Sequence, residues 1–306
     1  MAEERLFALV GCNNFYALCE KLFAPKLAWK PGVVLSNNDG CAVASSAEAR
    51  ALGITMGVPW FKIATSAESR GLVALFSNYA LYADMIHLVA EILSAFTPDL
   101  EVHSIDESFL DLRRFKHFDL LAHALQICQH IACWVGLPVS VGIGPSKNLA
   151  KLANHFAKKQ PSFESVCDLR ARDEPTRAHL FSGTPVDEVW GVARRIASKL
   201  SEIGIETVEG LCRSDWIREQ FSVVLSRTVR ELNGFSCLSL ETVTPPRQQI
   251  MASRSFGSLV FDIENPRDAL AHQISRAAEK LRSQGDEAGA LTVMIRTNPF
   301  KPNEPQ

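Results

Sequence analysis

The chain has 306 residues, is 47% hydrophobic and carries a formal net charge of -2. That length and apolar content predict two to four compact units rather than a disordered polymer, and the near-neutral balance excludes a protein that holds nucleic acid through total charge alone. Eight cysteines without a C-x-x-C pair read as reduced packing residues, and the acidic start of MAEERLFALV, with no run of ~18 apolar residues anywhere, predicts a soluble, cytoplasmic protein without secretory signal or membrane span.

The opening stretch alternates, with Leu6, Ala8, Val10 and Cys12 on one face and Phe7, Leu9, Gly11 and Asn13 on the other, and predicts a strand running into a helix over Phe15 to Phe23. A second strand over Gly32 to Ser36 ends in the turn signal Asn37-Asn38-Asp39-Gly40, and a helix follows over Ser45 to Leu52. Next come a helix over Tyr79 to Phe96, an alternating strand over Glu101 to Leu112, a helix over Phe118 to Trp134, a strand over Val139 to Ile143 and a helix over Asn148 to Lys159. This alternation reads as one α/β unit with an insertion at 26 to 75. Pro161 to Pro175 reads as a connection, Pro185 to Gly234 as a small helical domain and Thr242 to Arg247 as a linker. Strands over Met251 to Val260 and Ala290 to Thr297 are expected to flank a helix over Asp268 to Ser283.

Charge is unevenly placed. Val139 to Gln160 holds four lysines and no acid, while Asp99 to Asp111 holds five acids and no Lys or Arg. Within the latter, Ser104-Ile105-Asp106-Glu107 sets two adjacent carboxylates among Val102, Phe109 and Leu110. Neighbouring acids in an apolar strand repel and lose hydration, so they call for a cation such as Mg²⁺, unless the strand edge leaves both in water. The lysines 147, 151 and 158 recur at helical spacing after the small-residue run Val141 to Ser146. They suit a polyphosphate or a DNA backbone, although on this stretch alone a solvated basic helix face explains them better. Val189-Trp190-Gly191-Val192-Ala193-Arg194-Arg195-Ile196 reads as helix, glycine turn, helix. That pattern either grips a phosphate through backbone N–H groups or forms an ordinary helical corner.

Taken together, several segments resemble the UmuC-like branch of the Y-family translesion DNA polymerases. They are Phe7-Ala8-Leu9 with Asn13-x-Phe15-Tyr16-Ala17-x-Cys19-Glu20, Val34 to Cys41, Ala47 to Gly53, Met56-Gly57-x-Pro59-Trp60-Phe61, Ser77 to Met85, Ser104 to Glu107, and Arg254-Ser255-Phe256-Gly257. The resemblance implies an α+β right hand: palm at 1–25 and 76–165, fingers at 26–75, a helical thumb with a helix-hairpin-helix at 166–241, and a partial βαβ little finger at 242–306. It implies error-prone synthesis past DNA damage in the SOS response, by attack of a primer 3′-OH on an α-phosphate at two Mg²⁺ ions. Asp106, Glu107 and the main-chain carbonyl of Cys12 would be metal ligands, and Tyr16 the steric gate against ribonucleotides. Arg50 and Lys158 would hold the triphosphate, and Lys147, Lys151, Gly191, Ala193 and Arg254 would contact DNA. Implied partners are a damaged primer–template, a dNTP, the polymerase V accessory subunits and a recombinase filament.

Two departures qualify this. The family carries a metal-bridging Asp where this chain has Gly11, and Asn13 lies two residues away, roughly 7 Å along a strand. An impaired polymerase is therefore expected, with a catalytically inactive DNA-binding or partner-binding remnant as the alternative. The family's little finger also runs on beyond Thr297, which makes a shortened last domain the expectation.

Overall fold

The computed structural model describes residues 5–67, 70–214, 216–217, 221–241, 248–257 and 259–297. They divide into two compact units, 1–244 and 245–306. In the first, the fully buried strand β1 (Phe7–Cys12) leads into α1 (Phe15–Phe23). There follow β2 (Gly32–Leu35), β3 (Ala42–Ser45), α2 (Ala47–Ala51), α3 (Trp60–Ala67) and β4 (Val73–Phe76). The chain continues through α4 (Tyr79–Ser94), β5 (Leu100–Val102), β6 (Glu107–Asp111), α5 (Leu120–Val135), β7 (Val139–Gly144), α6 (Lys147–Lys159) and β8 (Val166–Asp168). Helices α7 (Glu174–Ser182), α8 (Arg194–Glu202), α9 (Val208–Cys212) and α10 (Val223–Leu232) complete it.

Two sheets result, one of five strands in the order β5-β6-β1-β7-β8 and one of three in the order β3-β2-β4. In the larger, β1 pairs antiparallel with β6 and β7, and β7 pairs parallel with β8. Alternation sends Ala8, Val10, Leu110, Val141 and Ile143 to one face, where they bury against Ile86, Val89 and Leu93 of α4 and Ile127 and Ile131 of α5. The opposite face carries Phe7, Leu9 and Phe109 and packs on Ala150 of α6. Gly11 and Glu107 share this second face, so α6 lies over the end of β1 that matters for chemistry.

Five sequence expectations differ from the structure. Glu101 to Leu112 is not one strand: it is the hairpin β5–β6, with Asp106 in the connecting turn, because pairing Leu100 with Leu110 folds the segment back on itself. The helix expected over Ser45 to Leu52 begins only at Ala47, since Ala42 to Ser45 pairs with β2 instead. The connection after Lys159 contains β8, whose Cys167 is fully buried beside β7. In the second unit a single helix, α11 (Glu264–Gln284), is longer than expected. The described residues of 251–260 and 290–297 form no strand there: no ladder partner is present among the described residues, and a strand without one leaves its N–H and C=O groups unpaired. The linker read at Thr242 to Arg247 lies outside the described residues.

Candidate active site

The site is built at the C-terminal end of β1. Gly11 sits in register with Glu107, and the Cys12 N–H donates to the Asp106 carbonyl at 2.8 Å, so both acids are held beside Gly11. The Ser104 hydroxyl donates to Asp106 Oδ1 at 2.8 Å and fixes that carboxylate in its turn. Lys151 Nζ donates to Glu107 Oε2 at 2.8 Å, with the lysine also lying over the Trp190 ring at 5.1 Å.

Helix α6 reaches these groups because β7 presents glycines to it. A Cβ on Gly142 would stand 2.0 Å from the Asn154 nitrogen and 2.3 Å from the Ala150 oxygen, so only glycine lets the helix seat so closely. Asn154 is thereby pinned, its amide donating to the Leu9 carbonyl at 3.1 Å and to the Ser140 carbonyl. One turn further, Lys158 projects back over β1. A Cβ on Gly11 would lie 2.6 Å from Lys158 Nζ and 3.0 Å from Asn154 Oδ1. The space of a side chain at position 11 is thus filled by an ammonium group. Asn13 offers no substitute carboxylate, and its amide is exchanged with the Ser140 hydroxyl at 3.1 and 3.2 Å.

Electrostatics follow the same arrangement. Burial, and then the Asp106 charge, push the Cys12 thiol up to about 12 while Lys158 pulls the other way, so the thiol stays protonated and unreactive. Tyr16 stacks on Tyr82 at 4.3 Å and meets Tyr79 edge-on at 6.1 Å. Its phenol is raised by burial, then by Tyr79 and Asp106.

The structure therefore gathers Gly11, Cys12, Asp106, Glu107, Lys151 and Lys158, with Tyr16 alongside. Arg50 ends α2 and is exposed. Lys147, expected on a DNA-facing surface, is a correction. It is 3% exposed, its ammonium is paired with Glu101 and lies 4.9 Å over the Phe109 ring, so it is part of the core. Its i+4 neighbour Lys151 is tied to Glu107 rather than free on a solvated face. Gly191 is exposed with φ +92, and Ala193 caps α8 without a side-chain bond, ahead of the exposed Arg194 and Arg195. Arg254 is exposed in the second unit. No local sequence signal marks the ring contact of Trp190, the carbonyl bonds of Asn154 or the role of Glu231. The Glu231 carboxylate, wholly buried, accepts from the Asn148 backbone and amide and from the Cys237 and Leu238 N–H groups.

These residues do not fit the two-ion magnesium centre that the resemblance implies. Among the described residues no cluster of three or more His, Cys, Asp or Glu could hold a metal ion. The two carboxylates present face two lysine ammonium groups, one of them in the place of the missing side chain.

The fold is that of a Y-family DNA polymerase. It superposes on a Y-family chimera, Dbh-Dpo4(243-245)-Dbh, with a TM-score of 0.73 and 22% identity over 90% of this chain and 80% of that one. An insertion ternary complex of Dbh DNA polymerase gives 0.67 and 21% over the same shares. Models described as the impB/mucB/samB family and its C-terminal domain match residues 10–155 and 247–306. SamB of Salmonella typhimurium is 46% identical over 98% of this chain and 72% of its own length. UmuC of Salmonella typhimurium strain LT2 is likewise 46% identical, and MucB of Escherichia coli 41%, with the same coverage. The chain belongs to the impB/mucB/samB family, the UmuC-like branch of the Y-family polymerases. Among the described residues no helix is long and apolar enough to cross a membrane.

Proposed function

We propose that this chain is a cytoplasmic, DNA-directed DNA polymerase subunit for error-prone translesion synthesis in the SOS response, with nucleotidyl transfer impaired at Gly11. The observation that carries this is the meeting of Gly11 with Glu107 in register while Lys158 fills the space at position 11. The lineage supplies the reaction and the vacancy supplies the defect. In this reading residues 1–25 and 76–165 are the palm, 26–75 the fingers, 166–241 the thumb and 242–306 the little finger. Asp106 and Glu107 are the remaining carboxylates of a weakened Mg²⁺ site, with the Cys12 carbonyl beside them. Tyr16 is the steric gate, and Arg50 and Lys158 receive the triphosphate. The Gly191 hairpin, Ala193 and Arg254 meet DNA, and the accessory subunits and recombinase filament are the protein partners. The catalytically inactive, DNA-binding form of the same protein is the second reading, favoured by the ammonium in the vacant place.

DNA affinity and extension separate these readings. Arg194, Arg195, Lys199 and Arg254 are exposed cations. Four phosphate contacts give a salt slope of about -3.6, roughly a 150-fold loss between 50 and 200 mM salt. Fluorescence anisotropy on a labelled primer–template without Mg²⁺ should show binding with that dependence. Primer extension with Mg²⁺ and dNTPs should be slow or undetectable. Absence of binding at 50 mM salt overturns the polymerase reading, and fast extension by the unaltered chain overturns the impairment.

A further inference from the structure

We propose that Lys151 and Lys158 are built-in counter-cations of the Asp106–Glu107 pair and keep divalent metal out of this centre. This rests on the reading of the two acids as the family's metal-binding carboxylates. Two adjacent carboxylates at the end of a buried strand need positive charge to be tolerated. Here the protein supplies it: Lys151 Nζ is bonded to Glu107, and Lys158 reaches the position where the third carboxylate of the family would stand.

The two lysines are held differently, Lys151 by its own partners and the exposed Lys158 by the seating of its helix. Lys151 is clamped between Glu107 and the Trp190 ring, which also meets His103 at 5.0 Å and Phe109 at 6.2 Å. Lys158 leaves a helix seated on Gly142, and it lies in the last turn, where the helix dipole favours a cation. The centre therefore holds two negative and two positive groups. A divalent ion approaching two carboxylates meets two ammonium groups, one bonded to Glu107 and one reaching position 11, and finds no bridging oxygen there to offset them.

The test is Mn²⁺ binding to the full chain without DNA or nucleotide, read by electron paramagnetic resonance of free Mn²⁺. The unaltered chain should bind weakly. Lys158→Met should bind at least ~10-fold more tightly, the effect of removing one unit charge about 5 Å from a divalent ion in a near-aqueous dielectric. Adding Glu107→Gln to Lys158→Met should abolish the gain, and Lys159→Met, which removes a surface lysine paired with Glu188, should leave affinity unchanged. Circular dichroism confirms that each variant is folded, and Gly11→Asp is the positive control for a metal-binding centre. Equal affinity for Lys158→Met and the unaltered chain, with tight binding by Gly11→Asp, overturns the proposal alone. No binding by either variant overturns the assignment of the acids as well, and stoichiometric binding by the unaltered chain refutes metal exclusion directly.

Discussion

Gly11→Asp is the substitution on which the catalytic reading turns. The new Cβ would meet Lys158 Nζ at 2.6 Å and Asn154 Oδ1 at 3.0 Å. The first is the free end of a flexible side chain and can swing away; the second belongs to an amide held by the Leu9 and Ser140 carbonyls and must give by a few tenths of an ångström. The carboxylate so introduced would pair with Lys158 in a partly solvated place, worth at most ~1 kcal/mol, so the fold should tolerate the change with little net effect on stability. Its catalytic effect is larger. One preorganised charge aimed at a reacting centre supplies about 3 kcal/mol of barrier stabilisation, and about 3 kcal/mol corresponds to more than ~100-fold in rate. Single-turnover primer extension with Mg²⁺ should therefore accelerate by at least ~100-fold in Gly11→Asp. Gly11→Asn, similar in shape and uncharged, should stay at the level of the unaltered chain. If Asn rescues as well as Asp, charge is not the missing element. If Asp binds Mn²⁺ and DNA yet extends no faster, position 11 does not limit the chemistry.

Two further outcomes test the frame that holds the site. Gly142→Ala places a Cβ 2.0 to 2.6 Å from backbone atoms of α6, which cannot rotate aside; denaturant unfolding should show a loss of ~3 kcal/mol, the upper end of overpacking costs, and Lys158 should lose its hold on the site. Unchanged stability would mean that the helix is not seated as closely as the strand requires. Glu231→Ala strips the acceptor from four N–H groups of Asn148, Cys237 and Leu238; at 1 to 3 kcal/mol for each donor left buried and unpaired, a loss of at least ~3 kcal/mol is expected, and a midpoint within error of the unaltered chain would refute the network's structural role.

The alternating run from Leu6 to Asn13 announced β1 and its two faces, and the helical pattern from Phe15 to Phe23 announced α1, because both patterns are local. Gly11, Asp106 and Glu107 were marked by a residue pattern rather than by periodicity, and the structure brings the three together. What the sequence hid was every feature fixed by pairing at a distance. Glu101 to Leu112 alternates like one strand, yet the β5–β6 hairpin is decided by the partner residues Leu100 and Leu110. Lys147 and Lys151 look alike at helical spacing. Only the position of Glu101 and Phe109 on one side, and Glu107 and Trp190 on the other, turns the first into a core residue and the second into a clamp. Glu231 carries no local signal, since its partners lie both 83 residues before it and just beyond its own helix.

The same arrangement explains how the fold is complete with glycine at position 11. A carboxylate at 11 would be a third acid crowded against Asp106 and Glu107, and in the absence of cations each added charge raises the free energy of the folded state. Glycine removes that repulsion, and the lysines of α6 neutralise what remains. Because α6 is seated by Gly142 and Asn154, the packing of the helix on the sheet does not rest on the acid pair. The structural contacts of β1, β7 and α6 are complete with Gly11 in place.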